Sequence, residues 1–259
     1  REHGIGAFEL EARLIVERAS GKRRQDFIRD GRLYPPDGKF ERATLGFLSR
    51  RLSGEPVAYI TGEWEFYSLP MLVSRDILIP RADTELLASR AIAVLRTSRR
   101  SAPKILDLCC GCGCVGLAVA ANIAPCRVVL SDKYESALKL ARENTLRNGL
   151  SKQVTSSPAD ALASPPPLFG TFDMLVCNPP YIKTSDIDAL DGGEDGLMFY
   201  RSVSAKWKTL LRAGGHLLFE CGVGQAASVA RIMADEGFSE IRMSRDTAGI
   251  DRVVEGRRE

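Results

Sequence analysis

Beyond Pro103 the chain alternates between short apolar runs and longer stretches of helical period, and that alternation restricts it to one architecture. "KILDL" (104–108) leads into a glycine loop and a helix over 115–123, and "RVVLSD" (127–132) precedes a helix over 134–148 that Gly149 closes. "VTSSPAD" and the proline-rich "ASPPPLFG" come before "FDMLVCN" (172–178). A helix near 196–211, the strand "GHLLFECG", a helix over 224–236 and two last strands in "SEIRMSRD" and "DRVVEGRR" follow. Strands that alternate with helices pair in parallel and bury both faces of their sheet, so an α/β fold is predicted. Ligands of such sheets sit at the carboxyl ends of strands, near the point where the strand order reverses. The glycine loop, Asp132, Asp160 and Asn178 all fall at strand ends of that kind.

The first part reads differently. Phe8, Ala12, Ile15, Val16 and Ala19 fall at helical spacing with Gly21 as C-cap, and a second short helix covers 23–30. A third carries Phe40, Ala43, Thr44, Phe47, Leu48 and Leu52 on one face before Gly54 and Pro56 stop it. From Tyr59 to Pro80 the chain is rich in β-branched and aromatic residues with turn-like breaks, which predicts a hairpin. "RADTELLASRAIAVL" returns to helical period, with Asp83 or Thr84 as N-cap. The predicted division is a helical domain over 1–58, a β-hairpin connector over 59–81 and the α/β domain over 82–259.

Composition excludes several classes. The chain has 259 residues, 44% hydrophobic and 27% charged, as in an ordinary soluble globular protein. No apolar run approaches the roughly 20 residues of a membrane helix, and "REHGIGAFELEARL" lacks a secretory layout, so a soluble, cytoplasmic protein is expected. Residues 1–60 hold 12 Lys/Arg against 9 Asp/Glu and the remainder 24 against 24, so the net charge of +3 is too small for a nucleic-acid track. Of seven cysteines, four crowd into "CCGCGC" (109–114). Structural zinc sites favour wider spacing and a second ligand pair, so no metal is expected, and the cysteines read as small side chains of a tight turn in a reducing compartment. Neither His3 nor His216 lies in a motif that recommends it as a general base.

"DLCCGCGCVG" places Gly111, Gly113 and Gly116 in the spacing G-x-G-x-x-G, after a strand and before a helix. Asp132 closes the next strand, where a carboxylate accepts from both hydroxyls of a ribose. Loop and carboxylate suit a nicotinamide dinucleotide and S-adenosylmethionine equally. Asp107, just before the loop, resembles the acidic residue in the first motif of S-adenosylmethionine-dependent methyltransferases, and with Asn178-Pro179-Pro180-Tyr181 at the end of the fourth strand it favours the second. The prolines lack an N–H and stiffen the chain. Asn178 can accept from and donate to a planar amide or amine, and Tyr181 offers a flat face. Each residue alone also has a structural reading, as a turn, a helix cap or a surface carboxylate.

With these residues in hand, the chain resembles the HemK/PrmC family of N5-glutamine methyltransferases, which act on the Gly-Gly-Gln loop of class-1 peptide chain release factors. The likeness rests on "GEPVAYITGEWEFYSLPMLVSRDILIPRADTELL", "ILDLCCGCG", "NPPYI", "LDGGEDGLMFYR" and "DTAGIDRVVEGRR". It implies a Rossmann-like class I methyltransferase domain with a seven-stranded, mostly parallel sheet. It also implies S-adenosylmethionine as cofactor, held by Asp107, Cys109, Cys110, Gly111, Cys112, Gly113, Asp132, Asp160, Ala161 and Asn178. Asn178, Pro179, Pro180 and Tyr181 grip the glutamine, and the N-terminal domain docks the release factor. Arg81, Asp83 and Glu85 match the connector motif. Two departures stand out: Cys109, Cys110 and Cys112 replace a glycine and two hydroxyl residues, and only seven residues separate Ile182 from "LDGGEDG". A methyltransferase of DNA or RNA amino groups, using the same asparagine on an unpaired base, is the alternative. A cofactor-binding protein without catalysis is a third reading.

Overall fold

Helix α1 (Phe8–Ser20) stops at Gly21, which takes the left-handed conformation (φ 68°) that glycine adopts without a Cβ clash. It opens the computed structural model, which describes residues 7–30, 38–98, 100–184 and 190–259. The chain divides into two compact units, Arg1–Trp64 with Val73–Arg75, and Glu65–Leu72 with Asp76–Glu259.

In the first unit α1 is followed by α2 (Arg24–Asp30), α3 (Lys39–Leu52) and α4 (Val57–Thr61). Ile15, Phe40, Val57, Ala58 and Ile60 are buried. Arg51 grips Glu11 with two nitrogens, at 2.6 and 3.2 Å, and ties α3 to α1. Leu48 and Leu52, which share by their spacing one face of α3 with the buried Phe40, are exposed. A unit of this size buries a smaller share of its apolar surface than a large one. The hairpin also starts later than expected, because Tyr59–Thr61 belong to α4. Pro56 fixes the backbone at the N-cap of that helix and Gly62 (φ 72°) ends it.

The hairpin pairs β1 (Glu63–Phe66) with β2 (Leu69–Leu72). Its two turn residues, Tyr67 (φ 50°) and Ser68 (φ 63°), are both left-handed, as the turns that match strand twist require. Glu85 accepts the Tyr67 N–H at 2.8 Å, which gives the second acidic residue of "RADTE" a structural task.

In the second unit α5 (Thr84–Thr97) precedes β3 (Lys104–Leu108), α6 (Cys114–Asn122), β4 (Arg127–Asp132), α7 (Glu135–Arg147), β5 (Val154–Pro158) and β6 (Phe172–Cys177). Then come α8 (Met198–Lys206), β7 (Leu211–Glu220), α9 (Ala226–Asp235), β8 (Phe238–Arg245) and β9 (Asp251–Arg258). The predicted helix over 196–211 is thus shorter, giving way to a 3-10 turn at Trp207–Leu210. The sheet runs β5-β4-β3-β6-β7-β9-β8. β5 to β7 are parallel, and β9 lies antiparallel to both β7 and β8. Strand order therefore reverses between β3 and β6.

Alternate residues of a strand face opposite ways, and this decides which helices they meet. Ile105, Leu130, Met174, Val176 and Leu218 share a core with residues of α5, α6 and α7. Leu106, Leu108, Leu175, Leu217 and Phe219 share the other with residues of α8 and α9. By the same parity Asp107, Asn178 and Glu220 belong on the α5–α6 side. Asn144 of α7, fully buried, accepts the Leu72 N–H at 2.6 Å and donates to the Leu72 and Cys112 carbonyls at 3.0 Å each. One carboxamide thereby joins the hairpin to the glycine loop. Among the described residues no helix is long and apolar enough to cross a membrane.

Candidate active site

β3 and β6 pair in register, Leu108 opposite Cys177, so the residues that leave them next, Cys109 and Asn178, emerge side by side where the strand order reverses. The glycine loop begins at this point. Cys109 has φ 59°, the left-handed region that disfavours any side chain, and Gly111 (54°) and Gly113 (83°) follow it there. A Cβ on Gly113 would lie 2.9 Å from Leu130 Cδ1, so crowding and backbone angle both demand glycine at that position. Cys109 stands where the resemblance calls for glycine, and its backbone supplies the reason. Cys109→Gly is accordingly expected to raise stability by about 1 kcal/mol, the cost of holding an L-residue in this region. The denaturant midpoint of unfolding reads this directly, and a lower midpoint would contradict it.

The other loop cysteines are core residues. Cys110, Cys112 and Cys114 are buried in the α5–α6 core, and all seven cysteines of the chain are free. Burial pushes the Cys110 and Cys177 thiols well up, and Cys114, hydrogen-bonded to Cys112, is raised as well. These are packed thiols, not thiolates. Among the described residues no three His, Cys, Asp or Glu side chains are grouped as metal ligands.

Two carboxylates brace the loop. Asp132 is 8% exposed and accepts the Gly111 N–H at 2.9 Å on Oδ2 and the Tyr134 N–H at 3.0 Å on Oδ1. Burial raises its pKa against those bonds. Asp107 is deeper, 2% exposed, and accepts the Gly116 N–H at 2.8 Å. Burial carries it up to about 7, with Gly116 pulling down and the Asp132 charge adding to the rise. Asp160 is half-buried after β5 and holds its own turn by accepting the Leu162 N–H at 2.9 Å. Ala161 is buried, its carbonyl taken by Ser202 Oγ at 2.9 Å and Trp207 Nε1 at 3.1 Å.

Asn178 is half-buried, and its Nδ2 donates to Thr84 Oγ1 at 3.4 Å. Pro179 is buried beneath it, and the Tyr181 hydroxyl is raised by burial. Three glycines crowd Tyr181: a Cβ on Gly192 would lie 2.8 Å from its Cα, one on Gly196 2.6 Å from its carbonyl oxygen, and one on Gly222 3.1 Å from its ring. That packing gives "LDGGEDG" a physical reason. Gln225 completes the clasp, donating to the Tyr181 carbonyl at 3.0 Å and accepting the Gly222 N–H at 3.0 Å. A cavity of about 450 Å³ opens beside Tyr181, lined also by Ile182, Lys183, Leu197, Gly222 and Gln225. Residues 185–189, in the short segment after Ile182, lie outside the described residues, as does His3. His216 sits on β7 opposite Met174, near the middle of the sheet and away from this edge.

Comparison with known proteins decides the family. Residues 1–62 match the PrmC N-terminal domain and residues 82–239 the Methyltransferase small domain. The release factor glutamine methyltransferase of Thermodesulfovibrio yellowstonii is 37% identical over 220 residues, covering 80% of this chain and 78% of its own. The chain belongs to the release factor glutamine methyltransferase family. The member from Agrobacterium fabrum is 33% identical over 270 residues, covering 98% of this chain and 92% of its own. A methyltransferase structure from Pyrococcus furiosus aligns with TM-score 0.56 at 18% identity, over 82% of this chain and 98% of that one, which bears on the fold alone.

Methyltransferases of this family draw their methyl group from S-adenosylmethionine, and the residues present fit that group. Asp132 accepts the Gly111 and Tyr134 N–H groups on separate oxygens, and a carboxylate has about four lone-pair sites, which leaves acceptor capacity for a ribose hydroxyl. Among the described residues, its chain neighbours aside, a Cβ on Gly111 would meet only Ile77 Cγ2 within 4 Å, at 3.7 Å, so there is room beside that backbone. Sequence reasoning missed Thr84 as a neighbour of Asn178, and it missed Glu220 and Gln225 altogether. Glu220 closes the strand "GHLLFE" at the same carboxyl edge, and that position was the available signal.

Proposed function

We propose that this chain transfers the methyl group of S-adenosylmethionine to the side-chain amide nitrogen of the glutamine in the Gly-Gly-Gln loop of a class-1 peptide chain release factor. The observation that carries this reading is Asn178, beside Cys109 at the strand reversal, with its Nδ2 engaged by Thr84 and two prolines behind it. The name carried by its curated relatives supports the substrate.

An amide nitrogen is a poor nucleophile because its lone pair is delocalised into the carbonyl. Orientation must therefore supply the rate. Asn178 Oδ1 and the Pro179 carbonyl accept from the two amide hydrogens, which turns the nitrogen and favours electron density on it as the nitrogen–carbon bond forms, the carbon–sulfur bond breaks with its electrons left on sulfur, and one of the two hydrogens departs as a proton to solvent. Pro180 stiffens the pair and Tyr181 walls the pocket. When bound, S-adenosylmethionine supplies an electrophilic methyl on a cationic sulfur. Asp132 holds its ribose, Asp107 and the loop Cys109, Cys110, Gly111, Cys112 and Gly113 its amino-acid end, and Asp160 with Ala161 its adenine.

The cavity beside Tyr181 takes the main chain that flanks the glutamine. Residues 1–58 dock the release factor, 59–81 connect, and 82–259 carry the chemistry, in the cytoplasm where translation ends. Incubation of the protein with purified release factor and methyl-labelled cofactor, followed by peptide mass spectrometry, tests this. The label is expected on the glutamine of Gly-Gly-Gln. An unlabelled factor, with label on DNA or RNA, would overturn the reading.

A further inference from the structure

Glu220 is a polar side chain of the α/β unit that the fold leaves unexplained. It ends β7 at 1% exposure, and its Oε2 is buried with no hydrogen-bond partner among the described residues. A buried carboxylate without full pairing is costly, so its retention at a strand's carboxyl end asks for a task. The neighbour is Thr84, the first residue of α5, 3% exposed, whose hydroxyl lies close enough to lower the pKa of the Glu220 carboxylate, and the register that sets Cys177 opposite Phe219 brings Glu220 beside Asn178. The same hydroxyl accepts from Asn178 Nδ2. Three side chains from α5, β7 and the β6 exit thus form one line, Glu220 to Thr84 to Asn178.

The polarity of that line matters. A carboxamide has nearly the same outline after a half-turn, so Asn178 can offer either its oxygen or its NH2 group to a ligand. The proposed chemistry needs the oxygen. Thr84 holds the NH2 group back only if its hydroxyl acts as acceptor towards Asn178, and it does so when its own proton is committed elsewhere. An ionised carboxylate is acceptor-only and takes that proton. A protonated Glu220 could instead donate to Thr84, freeing the threonine proton for Asn178 Oδ1 and releasing the half-turn.

We propose that Glu220 and Thr84 are positioning residues which, with Glu220 ionised, fix the orientation of the Asn178 carboxamide towards the substrate amide. The proposal rests on the glutamine methyltransferase reading. Several groups set the charge on Glu220. Burial raises its pKa, Thr84 and the Arg252 and Arg81 charges lower it, and Asp83 raises it. The Tyr181 and Tyr200 hydroxyls and the Cys114 and Cys221 thiols also face it, from the β6 exit, α8, α6 and the β7 exit. Because the ionised form is the working one, kcat falls as pH drops through the raised pKa of Glu220.

Two measurements on the full-length enzyme test this. In methyl transfer to release factor, Glu220→Gln and Thr84→Val are each expected to lower kcat roughly a hundredfold, the scale of a small misplacement of a reacting group. KM for release factor stays within a few-fold, Glu220→Gln loses the acid limb of the kcat profile, and Thr84→Ser recovers most of the Thr84→Val loss. In the cofactor-free enzyme, the side-chain amide resonance of Asn178 in 15N spectra is expected to shift with pH in the wild type and to stay fixed in Glu220→Gln. A wild-type acid limb and kcat in Glu220→Gln, or an Asn178 amide that ignores pH in the wild type, would overturn the proposal. Because the second measurement needs no substrate, it stands apart from failure of the release-factor reading, which wild-type turnover alone reports. Spectra dispersed as in the wild type establish that a variant is folded.

Discussion

Asn178→Ala is expected to lower kcat about a thousandfold, the scale seen when one preorganised hydrogen-bond group is removed from a reaction centre. The Kd for S-adenosylmethionine should change only a few-fold. The reason lies in the division of labour along the strand edge. Asp132 and the glycine loop are built around β3 and β4, whereas Asn178 leaves β6 and is tied to Thr84. Alanine removes the acceptor for the amide N–H and leaves the loop bonds intact. Pro179 and Pro180 keep the backbone path, so the lost carboxamide is the main change. Isothermal titration for the cofactor beside a turnover assay separates the two effects. A variant that lost cofactor affinity together with activity would place Asn178 in cofactor binding instead.

Gly116→Val is the second large effect, and it acts on folding. A Cβ at this position would lie 2.4 Å from Leu130 Cδ2, 3.0 Å from Asp107 Oδ2 and 3.0 Å from Val128 Cγ1. All three are buried on or beneath the central sheet, so none can move into solvent. The clash pushes α6 off β3 and β4 and stretches the 2.8 Å bond from the Gly116 N–H to Asp107. Overpacking and a weakened buried hydrogen bond together cost about 4 kcal/mol. That is a large part of the roughly 5–15 kcal/mol that holds a typical domain. Denaturant unfolding should show a much lower midpoint or a protein that is unfolded at the outset. A midpoint within experimental error of the wild type would show that α6 does not press against Leu130 and Val128 at Gly116.

The order of strands and helices beyond Pro103 was legible because crossover connections leave a parallel sheet few alternatives, and each strand ended near its predicted residue. Asn178 was legible for a related reason. Two prolines after a buried strand stop it at a fixed point, and the register of β3 and β6 then puts Asn178 beside the loop. The short helix at Val57–Thr61 was not legible. "YIT" carries strand-forming residues, and only the bracket of Pro56 and Gly62 turns it into one helical turn. Leu48 and Leu52 keep helical spacing yet face solvent, since periodicity marks a stripe without saying whether anything covers it. Glu220 was hidden for a third reason. At the end of an apolar strand a lone glutamate reads as a solvated terminus, and only the register of β6 and β7, with Cys177 opposite Phe219, makes it a buried neighbour of Asn178. The left-handed Cys109 was flagged as a departure from the loop pattern, but its backbone angle needed the fold.

A crystal structure of the enzyme with S-adenosylhomocysteine and a peptide carrying Gly-Gly-Gln would test the orientation of the substrate amide at its source. The glutamine amide is expected to give its two hydrogens to Asn178 Oδ1 and the Pro179 carbonyl, each at about 2.9 Å, with the nitrogen turned to the cofactor sulfur. A glutamine bound elsewhere, or an Asn178 whose NH2 group faces the substrate while Thr84 holds its oxygen, would contradict it.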